Sequence, residues 1–410
     1  MQEYEVIELA NGIRVIHKEN PYTKIAHLGV MLDIGSRDEQ ADEQGIAHFW
    51  EHMAFKGTEK RKSYHIINRL ESLGGELNAY TTKEKICFYA SVLSNHLDKA
   101  VDLLTDITFH STFPEKQIER ERMVIMEEMA MYRDTPEDAI IDDFDELIFQ
   151  GHALGSNILG TEETLSQINH ESFRRFVNRN LNTTRIVISS VGNYSMKKLV
   201  RLIEKSIADL PYKNHTEKRT YFEGFQPLQK QLNKPVTQVH HLMGRTAFSL
   251  KHPDRIPFFL LVNILGGPAM NSRLNMSLRE KHGFVYGVEA HYSTYIDTGL
   301  FSIGFATDPR NYKKSLSLIE KELKLLKTKT LTETQLHKGK QQLKGQLAMS
   351  EENNSSMMMM MAKSLLDLET VPSLDSIFKK IDEVTPQKLQ ELAGEVFNTD
   401  EFSSLSFLPE

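Results

Sequence analysis

The chain has 410 residues, 40% hydrophobic and 26% charged, and its 49 Lys and Arg against 56 Asp and Glu leave a net charge of −7. That length suggests two or more domains with separate cores, while the negative mean hydropathy and the lack of any bilayer-length apolar run argue against a membrane protein, and the acidic balance argues against nucleic acid as a partner. The lone Cys87 excludes an intramolecular disulfide and a thiolate zinc cluster, so any metal must be held by His and carboxylate.

The N-terminal stretch has neither the basic start and apolar centre of a signal peptide nor the Arg-rich character of a transit peptide, so the chain reads as cytoplasmic. Asn11-Gly12 between apolar-rich runs predicts a hairpin over 4–18. A strand over 27–35 and a polar stretch over 36–44 lead to a helix from about Ile46. A second helix over 64–73 is stopped by Gly74-Gly75, paired strands are expected over 76–82 and 86–93, and a helix over 95–108. Pro114 opens a long helix over 116–133, closed by Asp134-Thr135-Pro136, with helical segments to Phe149 and a surface loop over 151–160. A β-branched strand over 185–191 and a helix over 196–210 precede the polar, aperiodic stretch 211–227, the best linker candidate.

Within the helix near Ile46, His48 and His52 stand at i and i+4 with Glu51 between, so all three project from one face. Two neutral imidazoles so placed can chelate zinc, and an uncoordinated carboxylate beside them can take a proton from water. His-x-x-Glu-His is the inverted form of the commoner zinc-peptidase signature. A catalytic zinc needs a third protein ligand. The long acidic helix offers Glu121 and Glu128, seven apart and on one face, with Glu127 pointing elsewhere; spacing leaves Glu121 and Glu128 as alternatives.

The second half repeats the first. Ile46 to Gly57 lines up with Ile256 to Gly267, Glu71 to Asn78 with Arg279 to Tyr286, and Leu181-Asn-Thr-Thr184 with Phe397-Asn-Thr-Asp400, in one order and at nearly constant offset. His48, Glu51 and His52 face Phe258, Leu261 and Val262, so only the first copy carries the metal motif. The expected organisation is two homologous α+β domains, each a mostly antiparallel sheet covered by helices, forming a clamshell: 1–210 zinc-binding and catalytic, 211–227 linker, 228–410 a substrate-holding domain without metal.

On His48-Phe-Trp-Glu-His52, Leu77-Asn-Ala-Tyr-Thr81 after a double glycine, Glu121-Arg-Met-Val-Ile-Met-Glu-Glu128, Leu154-Gly155 with Gly160-Thr161, and Ser272-Arg-Leu with Leu278 to Tyr286, the chain resembles the pitrilysin/insulinase family of zinc peptidases over essentially its whole length. The likeness is to the short-chain branch that includes the mitochondrial processing peptidase and its bacterial relatives. The resemblance implies one zinc per chain and a third ligand 76 positions beyond the second histidine, which is Glu128. It makes Glu121 an acid that orients a ligand histidine or holds water, and Glu51 the general base and then acid. It further implies that Arg279 and Tyr286 hold substrate from the second domain, while Asn78 and Ala79 lie on a strand edge that an extended peptide could join.

The expected activity is that of a zinc endopeptidase on peptides or unfolded segments enclosed between two domains, with no nucleic-acid or membrane partner and with a homodimer allowed. The alternatives are a subunit of a hetero-oligomeric processing peptidase and a non-catalytic structural relative. Met357 to Met361 is read as buried helix packing, since five consecutive residues sweep round a helix. His240-His241 falls in a strand, where neighbours point to opposite faces and cannot share a metal. Gly266-Gly267-Pro268 is too short for a phosphate-binding loop, and the Lys-rich helix over 313–329 reads as a solvated face.

Overall fold

Two sheets, each the floor of a compact unit, account for every strand of the computed structural model, which describes residues 4–215 and 217–410. Residues 1–3 of the stretch read for a leader, and Thr216 of the expected linker, lie outside the described residues. The first sheet uses β1 (Glu5–Glu8), β2 (Arg14–Glu19), β3 (Ile25–Leu32), β4 (Glu76–Thr81), β5 (Ile86–Leu93) and β6 (Ile186–Gly192), in the spatial order β1-β2-β6-β3-β5-β4. All its pairs are antiparallel except β2 with β6. The β1–β2 hairpin turns through Gly12 at φ +86°, a left-handed conformation that suits glycine.

The second sheet uses β7 (Gln229–Lys234), β8 (Val239–Ala247), β9 (Val285–Thr294), β10 (Gly299–Thr307) and β11 (Ser403–Pro409), in the order β7-β11-β8-β10-β9. Its one parallel pair is β7 with β11. Strand for strand this is the order and polarity of β2-β6-β3-β5-β4, so the repeat seen in sequence is a repeat of topology. The helices correspond too: α1 (Ile46–Ala54) packs on β4 and β5, and its copy Arg255–Gly266 packs on β9.

The units are discontinuous in sequence. One combines Met1–Met129, Ser156–Arg219 and Ser350–Val371; the other combines Ala130–Gly155, Thr220–Met349 and Pro372–Glu410. After α2 (Ser63–Glu71) and α3 (Leu97–Phe109) comes α4 (Glu115–Asp134), and Thr135-Pro136 then starts α5 (Pro136–Ile148), which packs on β8 and β11 of the second sheet. Reciprocally, the helix Asn354–Leu368 packs on β3 and β6 of the first sheet. Those are the equivalent strands, so each sheet borrows one helix from the opposite half of the chain.

The borrowed helix carries the methionine run. Met357, Met358 and Met361 are buried among Ile16, Met31, Cys87, Val187 and Val191, each burial contributing on the order of 1.5–3 kcal/mol. Gly29 leaves the space that the Met358 sulfur fills, since a Cβ there would sit 2.6 Å from it. Ser189 Oγ donates to the Met358 carbonyl at 2.7 Å, satisfying a buried hydroxyl. With α3 on β3 and β5 as well, β6 is buried along its whole length.

Buried ion pairs pin the same region. Arg219 donates to Asp38 and Asp33, and Lys85 bridges Asp33 to Asp367 of the methionine helix at 2.8 Å each way. Burial opposes ionisation of Asp33, yet Arg219, Lys85 and Arg185 hold its carboxyl well below its ordinary value. Among the described residues no helix is long and apolar enough to cross a membrane. Met358→Ala removes a fully buried side chain and is expected to destabilise the protein by about 2–5 kcal/mol, read as a lower urea midpoint. An unchanged midpoint would show that the borrowed helix does not support the first sheet.

Candidate metal centre

The helix α1 starts at Gly45, whose φ of +91° is left-handed. A Cβ there would meet the Leu159 carbonyl oxygen at 2.5 Å, so only glycine fits. The first free amides of the helix are taken by a side chain from the preceding loop: Glu39 accepts from Gly45 N at 2.9 Å and Ala47 N at 2.8 Å. Ile46, Ala47, Phe49, Trp50, Met53 and Ala54 are fully buried. Phe49 meets Phe173 edge-on, and Trp50 contacts Phe88 and Phe176. The apolar residues wrap most of the helix, and His48, Glu51 and His52 are left on the remaining stripe.

Above that stripe lies α4, anchored by buried Ile118, Ile125 and Met129. It directs Glu121 and Glu128 at the histidines, while Glu127 is exposed. His48 Nε2 and His52 Nε2 lie 3.8 and 3.5 Å from the same Glu128 oxygen, Oε2. One ligand atom from each of the three falls within 4.8 Å of the others. Tetrahedral donors about 2.0–2.1 Å from a zinc ion sit about 3.4 Å apart, so this set fits the ion after only small movements. Glu121 is buried and takes the other nitrogen of His52, with Oε2 at 3.3 Å from Nδ1, which leaves Nε2 as the metal-facing atom. Lys56 Nζ holds the other Glu121 oxygen at 2.7 Å.

Titration in this pocket follows from those contacts. Burial and the neighbouring His52 push His48 down to about 4, against the pull of Glu128. Burial also opposes charge on His52, but hydrogen bonds to Glu121 and Glu128 and their negative charge outweigh it and raise His52 to about 9. The hydrogen bond with His52 lowers Glu128, and Glu121 is lowered by His52 and Lys56 despite its burial. The pocket therefore holds a proton, on His52, where the donor set could hold a cation. Glu51 is half-buried, with its pKa raised by burial, and its Oε2 accepts from Thr81 Oγ1 at 2.5 Å.

The other expected residues fall in two places. Asn78 is exposed and Ala79 half-buried on β4, the edge strand of the first sheet; Asn78 Oδ1 accepts from Ala79 N at 2.8 Å. Arg279 and Tyr286 belong to the other unit. Arg279 lies on a single π-helical turn, Asn275–Glu280, and its guanidinium sits 5.6 Å from the centre of the Tyr286 ring, a cation–π contact. Tyr286, near the start of edge strand β9, is 89% exposed, so it is no part of the core. In the copy of α1, Phe258, Leu261 and Val262 are buried where the first copy has His48, Glu51 and His52.

Three contributors escaped the sequence reading. Lys56 was visible in principle, four residues beyond His52 and thus continuing the same face. Thr81 shares a strand face with Leu77 and Ala79, but nothing in that alternation says that Glu51 lies opposite. Glu39 gave no signal, because its reach to the helix start depends on how the loop folds.

Residues 14–162 match the family model described as Insulinase (Peptidase family M16), and residues 167–343 match the one described as Peptidase M16 inactive domain. An uncharacterized zinc protease of Bacillus subtilis is 34% identical over 400 residues, covering 95% of each chain, and one of Rickettsia felis is 31% identical over 403 residues, covering 97% of this chain and 96% of its own. A Pseudomonas fluorescens structure described as a peptidase M16 inactive domain superposes with a TM-score of 0.91 at 19% identity, covering 99% of this chain and 98% of that one. A protease from Helicobacter pylori superposes with a TM-score of 0.89 at 21% identity, covering 99% of both chains; at such identity these two speak to fold alone. The full-length likeness to zinc proteases, with a family match over each half, makes this chain a member of the insulinase family of peptidases, family M16.

Proposed function

We propose that this protein is a zinc-dependent endopeptidase acting on peptides or unfolded polypeptide segments. The observation that carries the reading is the convergence of His48, His52 and Glu128 from two helices, with Glu51 beside them on the helix face and outside the ligand set. Zinc held by those three residues would supply Lewis acidity, polarising the scissile carbonyl and making water nucleophilic near neutral pH. Glu51 accepts the proton of the attacking water and returns it to the leaving amine, acting as general base and then general acid. Glu121 fixes the His52 ring through Nδ1, and Lys56 fixes Glu121.

Substrate is held through backbone more than sequence. β4 is an edge strand that an extended peptide can join, with Asn78 and Ala79 at the middle of that edge; the Asn78 side chain, which holds Ala79 N, turns aside when the peptide pairs there. Arg279 and Tyr286, in cation–π contact with each other, contribute cationic and phenolic contacts to the peptide. A homodimer is compatible with this reading, which needs no partner chain to supply a ligand or the base.

Three outcomes are expected. On a quenched-peptide library the metal-loaded protein cleaves and Glu51→Gln loses on the order of 10²–10⁴-fold in kcat while still binding one zinc per chain; equal cleavage by both would remove Glu51 from the mechanism. Because the metal-free pocket carries a proton on His52 up to about pH 9, zinc uptake near neutral pH releases a proton. Apparent affinity should then rise by about tenfold per pH unit from pH 7 towards 9, measured against a competing chelator; a flat profile would contradict the protonated pocket. Arg279→Ala should raise KM by roughly tenfold, the loss of one charge-assisted contact, with zinc content unchanged; an unaltered KM would take Arg279 out of substrate binding.

A further inference from the structure

We infer that Thr81 is a positioning residue for the proton-transferring carboxylate of Glu51, an assignment that rests on the peptidase reading above. A glutamate carboxylate turns about its last bond with little preference, so a half-buried Glu51 needs an external hold if one oxygen is to face the water consistently. Thr81 supplies it. Its Oγ1 donates to Glu51 Oε2 at 2.5 Å, and a hydroxyl has one proton to give, so this donor is committed. Among the described residues Oε1 has no hydrogen-bond donor and stays available for proton transfer.

The hold is rigid because Thr81 is rigid. It is the last residue of β4, paired in register with Ile86, and it is β-branched, which restricts χ1. The turn that follows is closed by Thr82 N donating to the Lys85 carbonyl at 2.8 Å. Lys85 in turn is fixed by Asp33 and Asp367. A chain of contacts thus runs from the buried ion pairs through the β4–β5 turn to the carboxylate.

Two substitutions separate the donor from the shape. Thr81→Val keeps the branched side chain and loses the hydrogen bond; Thr81→Ser keeps the hydrogen bond and loses a methyl. In the zinc-loaded protein Thr81→Val should lower kcat by roughly 10–100-fold with KM within about twofold of wild type, the range in which small misplacements of a reacting group fall. Thr81→Ser should recover most of that kcat. Zinc content should be unchanged in both, since Glu51 is not a ligand. Crystal structures should show the Glu51 carboxylate rotated or spread over two orientations in Thr81→Val only. An unchanged kcat in Thr81→Val, equal impairment in both variants, or a Glu51 carboxylate that stays in place without the hydroxyl would each overturn the assignment. If the zinc-loaded wild type cleaves no peptide, the peptidase reading fails by itself, and the position of Glu51 in the Thr81→Val crystal still decides whether Thr81 orients it.

Discussion

A nine-residue helix that must bury most of its surface while keeping three polar side chains on one stripe is the constraint from which the rest of the first unit follows. Ile46–Ala54 is too short to be stable alone. Its position is set by what surrounds it: Phe173, Phe176 and Phe88 on the apolar side, and Glu39 on its opening amides. Because the apolar side is close-packed, the helix cannot rotate to relieve the crowding of His48 against His52, whose rings lie 4.7 Å apart. Two imidazoles held that close with no freedom to separate are arranged for a shared ligand, and α4 brings the third donor to the same point.

The repeated topology explains why the second copy could discard that chemistry without losing its fold. In the copy of α1, Phe258, Leu261 and Val262 are buried, and Phe258 packs edge-on to Phe301, so the positions of His48, Glu51 and His52 in one copy are core in the other. The reciprocal exchange of helices has a related physical origin. Each sheet has two faces to cover, and α5 and the helix Asn354–Leu368 each cover the sheet of the opposite half at equivalent strands, β8 and β11 for the first, β3 and β6 for the second. Neither sheet is fully covered until both halves of the chain have been made, which ties the stability of the first unit to residues near 354–368.

How far the sequence could be read varied with the kind of signal. Elements with a strong period were legible: the hairpin at Asn11-Gly12, the helix around His48, the paired strands before and after residue 84, and the buried methionine run. For a third donor spacing left Glu121 and Glu128 as alternatives, because periodicity puts both on one face, and only the resemblance pointed to Glu128. In the structure both point at the histidines and differ in which His52 nitrogen they take, a distinction of a few ångströms that no spacing rule carries. The destination of the methionine helix was not legible, since an apolar helix face is compatible with either sheet. Contacts such as Glu39 to Gly45 and Thr81 to Glu51 depend on loop and strand register, and residue type says nothing of them in advance.

Charge balance links these observations. His52 lies between Glu121 and Glu128 and Lys56 lies against Glu121, so groups of opposite sign meet in this pocket, while burial raises the pKa of Glu51 beside them. A dication held by His48, His52 and Glu128 would bring positive charge beside Glu51, and a carboxylate there would balance it. In a partly buried site such a balance is worth far more than in water. Thr81 donates to Oε2 of that carboxylate, so the direction in which the group faces depends on the strand beside it.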